Sequence, residues 1–258
     1  MRRWKQAEKY KLIHLYLSSK ITITEIAKIL GRSNPAIHDM VRRLKIANRC
    51  KIKVRLPTRV SPEEARVHAH ICGDGSLSIT KRKRRKTIEL EYRIRYTNSD
   101  DVLLEEFKRD VNAVYNRSMS KSGYEVGFSS KRVFKHLKEL GAGGSYSWSV
   151  SSLIYKGSFE IRKMWLRAFW DDKGTVRTDG LLASSVNYLG LAQACGMMQS
   201  VGVKAHITGP YQDKGSLKWH MRVNKMDVAA FLENVGFLSP RKSDKLAELV
   251  RNRCRNRG

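Results

Sequence analysis

The strongest constraint on this chain is a short pattern that occurs twice. Val67-His68-Ala69-His70-Ile71-Cys72-Gly73-Asp74-Gly75 has a counterpart in Leu166-Arg167-Ala168-Phe169-Trp170-Asp171-Asp172-Lys173-Gly174. Each is a short, mostly apolar helical run with a small residue third in it. Each ends in acid and glycine, and strand-like sequence follows. Repeated units of this kind bury faces that neither could bury alone. The pattern therefore predicts two similar halves meeting at two helix ends.

Outward from the two copies, the same order of elements appears in each half. Ser61-Pro62-Glu63-Glu64 opens the first helix with a cap, an early proline and acids in the first turn. Strands follow at 76–82 and 87–97. In the second strand Ile88, Leu90, Tyr92, Ile94 and Tyr96 share one face, and Glu89, Glu91, Arg93 and Arg95 share the other. The intervening KRKRRK reads as a basic hairpin turn. Asn98-Ser99-Asp100 caps a helix over 101–115. Strands near 117–121 and 124–129 and a helix over 131–140 complete the half. The second half reads as a helix at 159–172, strands at 174–178 and 181–186, and an Asn187-capped helix to 201. Strands at 203–209 and 217–223 follow, then a helix at 226–235 and a last helix beyond Ser239-Pro240. The fold class is α+β, with the order αββαββα twice. The terminal RNRCRNRG reads as a frayed end.

The N-terminal stretch has a different period. Residues 3–18, 22–31 and 36–44 read as three helices. Ala27 and Gly31 stand where a helix-turn-helix needs a small residue and a tight turn. On that reading the exposed face of the third helix carries Asn34, His38, Asp39, Arg42 and Arg43 toward a major groove. A plain three-helix bundle is the alternative. The expected domains are 1–46 helix-turn-helix, 47–60 basic linker, 61–157 first repeat, 158–250 second repeat and 251–258 basic tail. The linker reads equally well as a phosphate-tracking arm or a solvated spacer.

Charge names the class of partner. The 51 Lys and Arg against 24 Asp and Glu give a net charge of +27, which predicts a polyanion. A hydrophobic fraction of 41% argues against a disordered basic tail. No apolar run approaches the ~20 residues that span a bilayer. The N-terminus leads into an amphipathic helix and not a signal sequence, so the expected location is cytoplasmic. The charge is spread along the whole chain, which favours nucleic acid over an anionic membrane. Cys50, Cys72, Cys195 and Cys254 show no metal-ligand spacing and read as reduced thiols. His68 and His70, two apart on a helix, point in different directions, which argues against a shared metal.

The two motifs and their matching downstream order resemble the LAGLIDADG homing endonuclease family in its single-chain, two-repeat form. Tyr96–Asp100 and Ala183–Asn187 sit at the same strand-to-helix junction of each half. Ser130–Phe134 and Gly236–Lys242 are also similar to the family, and the resemblance covers roughly residues 60–250. It implies a monomer in which two motif helices cross at a pseudo-twofold axis. The small positions for that crossing are Ala69, Gly73, Gly75, Ala168 and Gly174. It implies paired carboxylates at the helix ends that bind Mg²⁺ and cleave phosphodiesters. It also implies a saddle of strands on double-stranded DNA. Outward residues of that saddle include Arg93, Arg95, Lys218, His220 and Arg222.

The second motif departs from the pattern. The family's acid is eighth of nine positions, which is Asp74 in the first copy and Lys173 in the second. Position seven, normally small, is Asp172, and Asp171 reads as a polar residue at the helix end. Three accounts stand open. Asp172 takes the metal role beside Asp74, Asp74 acts in a partial site, or cleavage is lost and DNA binding remains. A Lys at position 173 beside Asp74 would pair with it electrostatically and replace the metal's charge. A retired-nuclease transcription regulator is the matching alternative function, and an RNA maturase-like role is a third.

Overall fold

The computed structural model describes residues 3–17, 21–46, 54–84, 87–213 and 215–255. It divides into two compact units, Met1–Lys53 and Val54–Gly258.

The first unit contains α1 (Gln6–Leu17), α2 (Ile23–Leu30) and α3 (Asn34–Arg43). Thr22 and Glu25 form a capping box at the start of α2. Gly31, at φ 58°, ends α2 in the left-handed region that glycine adopts without strain. Ser33 caps α3 through the Ala36 amide, so Asn34 and Pro35 belong to its first turn. The helix therefore starts two residues before the expected position. Leu12, Tyr16, Ile26, Ala27, Leu30, Ile37, Met40 and Val41 form one buried core.

The second unit opens with α4 (Pro62–Cys72), then β1 (Gly75–Arg84), β2 (Thr87–Thr97), α5 (Asp101–Tyr115), β3 (Ser120–Ser122), β4 (Glu125–Ser129) and α6 (Lys131–Glu139). After a short α7 (Ser152–Tyr155), the order recurs as α8 (Phe159–Lys173), β5 (Gly174–Arg177), β6 (Gly180–Ser185), α9 (Tyr188–Ser200), β7 (His206–Asp213), β8 (Ser216–Asn224) and α10 (Val228–Asn234). Helix α11 (Pro240–Arg255) closes the chain. Two four-stranded antiparallel sheets have the matching orders β1-β2-β4-β3 and β5-β6-β8-β7. None of the described helices is long and apolar enough to cross a membrane.

Helix α4 is buried on every side from Glu64 to Cys72. Ala65, Ala69 and Cys72 face the core of the second half, while Val67 and Ile71 face the core of the first. Its small residues at four-residue spacing let α8 pack closely against it. Helix α8 answers with bulk. Trp165, Phe169 and Trp170 are fully buried, and Trp165 stacks on Phe169 at 5.1 Å.

Three further segments differ from expectation. Residues 54–60 are not a free spacer, because Val54 and Leu56 pack on the first core and the Arg55 amide donates to the Tyr115 carbonyl. Residues 47–53 of the expected linker lie outside the described residues, as do 85–86 of the basic turn and 256–258 of the tail. The tail itself continues α11 as far as Arg255. Strand β7 runs beyond Gly209-Pro210, which sits at a register shift on an outer strand. Proline is tolerated there because neither an outer strand nor a bulge requires its missing N–H.

Candidate helix-end site and nucleic-acid interface

The two motifs bring four charged side chains to the ends of α4 and α8. Gly73 caps α4, and the Asp172 side chain fills the space that a side chain on Gly73 would occupy. A Cβ on Gly73 would overlap the Asp172 carboxylate and lie 2.7 Å from the Asp172 Cβ. The bulk at position seven of the second motif is thus accommodated by the glycine at position seven of the first. Gly75 and Gly174 allow the helix-to-strand turns. A Cβ on Gly75 would meet the Ile71 Cα at 2.6 Å, and one on Gly174 would meet the Trp170 carbonyl oxygen at 2.5 Å. Ala69 and Ala168 are fully buried.

The Asp172 side chain is inaccessible to solvent. Its Oδ2 lies 3.1 Å from His70 Nδ1 and accepts the Asp74 amide at 3.4 Å. Its Oδ1 accepts the Tyr96 hydroxyl at 2.7 Å and Asn98 Nδ2 at 3.4 Å. Burial opposes a charge on His70, but Asp172 and Glu106 outweigh it and raise its pKa to about 10. The ring is an imidazolium that matches the buried carboxylate. Burial and the same carboxylate push the Tyr96 hydroxyl far up, so it remains a donor.

Asp74 lies on the open side of this cluster. Lys173 Nζ donates to its Oδ1 at 2.8 Å, with both side chains about one-third exposed. Burial and the neighbouring Asp172 raise the Asp74 pKa against the opposing pull of Lys173. Asp171 points the other way. Its two oxygens accept the Leu238 and Ser239 amides, each at 3.0 Å, where α11 begins. Burial raises its pKa to about 6. Lys242 donates to the Asp171 carbonyl from the first turn of α11, and burial lowers its pKa. A cavity of 390 Å³ beside these groups is lined in part by Asp74, Asn98, Asp172, Arg241 and Lys242.

Sequence reasoning missed the ladder of charge behind the site. Arg66 makes a two-pronged pair with Asp110 at 2.6 and 2.8 Å, and Arg167 binds Glu106 at 2.7 Å. Glu106 and Asp110 are almost fully buried. The signal was present, because both fall on the same helical stripe as Leu103, Phe107, Val111 and Val114. Two acids interrupting an apolar stripe call for buried basic partners.

The expected DNA-binding residues divide between the two units. In the first unit Asn34, His38, Arg42 and Arg43 are all exposed on α3. Asn34 Nδ2 bonds Thr24 Oγ1 at 3.3 Å, and Asp39 pairs with Arg42 and Arg43 at 2.5 and 2.7 Å. In the second unit Ile94 and Tyr96 are buried, so Arg93 and Arg95 stand on the opposite, outer face of β2. Met221 and Val223 are buried likewise, which puts Lys218, His220 and Arg222 on the outer face of β8. His220 stacks on Tyr211 with ring centres 4.6 Å apart.

A mixed α+β unit with two like-ordered sheets and two packed motif helices has the fold of the LAGLIDADG homing endonucleases. Among solved structures, the chain is similar to mesophilic variants of the homing endonuclease I-DmoI. The identity is 16%, the TM-score is 0.56, and the match covers 72% of this chain and 97% of that one. It is similar to I-DmoI in complex with DNA and Ca at 15% identity and TM-score 0.54, over 72% and 97% of the two chains. For I-DmoI in complex with DNA and Mn the values are 16%, 0.53, 67% and 96%. At such identities the likeness is one of fold. No protein-family profile matches the chain, and no curated protein matches it in sequence.

Proposed function

We propose that this chain is a sequence-specific double-stranded DNA-binding protein on a homing-endonuclease fold, and that it binds its target without cutting it. The observation that carries the reading is the Lys173 ammonium on the Asp74 carboxylate, 2.8 Å from Oδ1. A hard divalent cation such as Mg²⁺ needs near-octahedral oxygen ligands. Here Asp74 is paired with an ammonium, and both Asp172 oxygens already receive protein donors. Both Asp171 oxygens receive amides of α11. Among the described residues no group of three or more His, Cys, Asp or Glu is arranged to hold a metal. Mg²⁺ does not fit this donor set, and no cleavage step is assigned through it.

Binding is supported by the net charge of +27, the cations on the outer faces of both sheets, and the DNA complexes of the structurally similar I-DmoI. The protein acts as a monomer whose two sheets form a saddle about an internal pseudo-twofold axis. The helices of 1–46 add a helix-turn-helix with α3 as the reading helix. This assignment makes Asp172 a structural carboxylate and Asp74 the partner of Lys173.

The test is selection of a duplex from a randomised pool in EDTA, followed by gel shift. The expected result is selective binding in EDTA that Asp74→Asn does not weaken, with the duplex left whole after Mg²⁺ or Mn²⁺ is added. Strand cleavage that disappears in Asp74→Asn would overturn the reading. Stronger binding to RNA than to the duplex would overturn the choice of DNA.

A further inference from the structure

The cations on the outer faces of the sheets are met there by carboxylates. Arg93 Nη2 binds Glu91 Oε2 at 2.8 Å, and the other Glu91 oxygen accepts Ser129 Oγ at 2.9 Å. On the second sheet Asp179 lies in the turn between β5 and β6. Its Oδ2 accepts Arg222 Nη2 at 2.8 Å, and its Oδ1 accepts Arg177 Nε at 3.3 Å. One side chain thus ties an arginine from β5 to one from β8. Lys218 is paired with Asp213 on the same sheet.

Acids are the minority charge in this chain, 24 against 51. On a surface meant only to attract phosphate, each one costs affinity. Their stabilising value does not explain them, because ion pairs in solvent contribute little to stability, and Asp179 is about half exposed. Their geometry does. A guanidinium has five N–H donors in a rigid fork. A carboxylate on one edge fixes the direction of the remaining donors and lowers the attraction to phosphate. A fixed fork suits the paired acceptors of guanine in the major groove, O6 and N7.

We infer that Asp179 is a positioning residue for specificity, holding Arg222 and Arg177 to read a guanine-containing step; Glu91 does the same for Arg93. This inference rests on the proposed duplex DNA binding. It predicts that removing the carboxylate frees the arginines for phosphate, so the protein gains general affinity and loses discrimination.

The experiment uses the full chain and the duplex selected by the wild type. Binding is measured on that duplex, on each single-base variant and on an unrelated duplex, across a salt series. Wild type, Asp179→Asn, Asp179→Glu and Arg222→Ala are compared, with thermal melts alongside. The expected result for Asp179→Asn is about a tenfold loss of discrimination confined to one or two adjacent base pairs, the scale of one bidentate contact. Binding to the unrelated duplex should tighten, and its salt dependence should steepen by up to about one charge. Asp179→Glu should restore part of the discrimination, and Arg222→Ala should lose it at the same base pairs. Unchanged discrimination in Asp179→Asn, with or without a lower melting point, would overturn the inference alone. Failure of the wild type to select any duplex would remove the proposed function and this inference with it.

Discussion

His68 and His70 stand two residues apart on α4, both fully buried, and they carry opposite protonation states. His68 Nδ1 accepts the Trp165 indole N–H at 2.9 Å, and burial lowers its pKa to about 4. His70 faces Asp172 and Glu106, which raise its pKa to about 10 against the cost of burial. In the unfolded chain both return to about 6.5. Between pH 6.5 and about 4 the unfolded chain binds a proton at His68 that the folded chain refuses, so stability falls as pH drops through that window. Between pH 6.5 and about 10 the folded chain keeps a proton at His70 that the unfolded chain has released, so stability falls as pH rises. Asp171, whose pKa burial raises to about 6, acts in the opposite sense on the acid side, so urea unfolding from pH 4 to 10 should show the His70 loss above neutrality directly and the His68 loss only against a His68 variant. His68→Gln keeps an acceptor for Trp165 and should flatten the acid side by about 3 kcal/mol. An acid limb identical to wild type would refute the neutral buried His68. The sequence argument that these two rings point apart agrees with this geometry. It gave no sign that one would be charged, because Asp172 and Glu106 reach His70 only through the packing of α8 and α5 on α4.

At the scale of elements, Gly73 fits closely against Asp172, where α4 meets α8. Gly73→Ala should destabilise the protein by about 1–3 kcal/mol, the usual cost of overpacking. In an Asp172→Gly background, which removes the Cβ as well as the carboxylate, the same substitution should cost less. Denaturant unfolding of the four proteins closes the cycle, and a coupling energy below about 0.5 kcal/mol would contradict the contact. Most elements were legible because their signals are local. Helix α5 begins at an Asp100 cap and runs over the expected 101–115, and β2 alternates in burial over Arg93–Tyr96 as read, whereas Ile88 and Leu90 of the expected apolar face are exposed. Helix α7, only four residues long, carries too little periodicity to read. The end of β7 was misread because Gly209-Pro210 has the composition of a strand end, and only the position of β7 at the sheet's edge makes it tolerable. The candidate site was half legible. Motif spacing located Asp74, Asp172 and Lys173, but neighbours distant in sequence decide which carboxylate is buried and which meets the ammonium.

At the scale of the molecule, α4 forms a wall of two cores, since Ala65, Ala69 and Cys72 line one and Val67 and Ile71 the other. Neither half of the second unit has a complete core without it. Calorimetry of residues 54–258 should give one cooperative transition, and Ala69→Leu should lower it as a whole; two separable transitions would show independent halves. The net charge of +27 makes a second global prediction. Plotted as log affinity against log salt concentration, duplex binding should have a slope steeper than about −4, as expected from roughly five neutralised phosphates. A flat dependence would contradict a phosphate-tracking saddle. The fit of Asp172 beneath Gly73 also limits which substitutions the site can accept. Placing an acid at position 173 alone would remove the ammonium and set a third carboxylate beside Asp74 and Asp172, a like-charge cluster that resists ionisation. Changing position 172 first would leave the His70 imidazolium without its closest carboxylate. A two-acid centre at these positions is therefore unfavourable at the first substitution in either order, so the contact between Asp172 and Gly73 holds the site in its present charge arrangement.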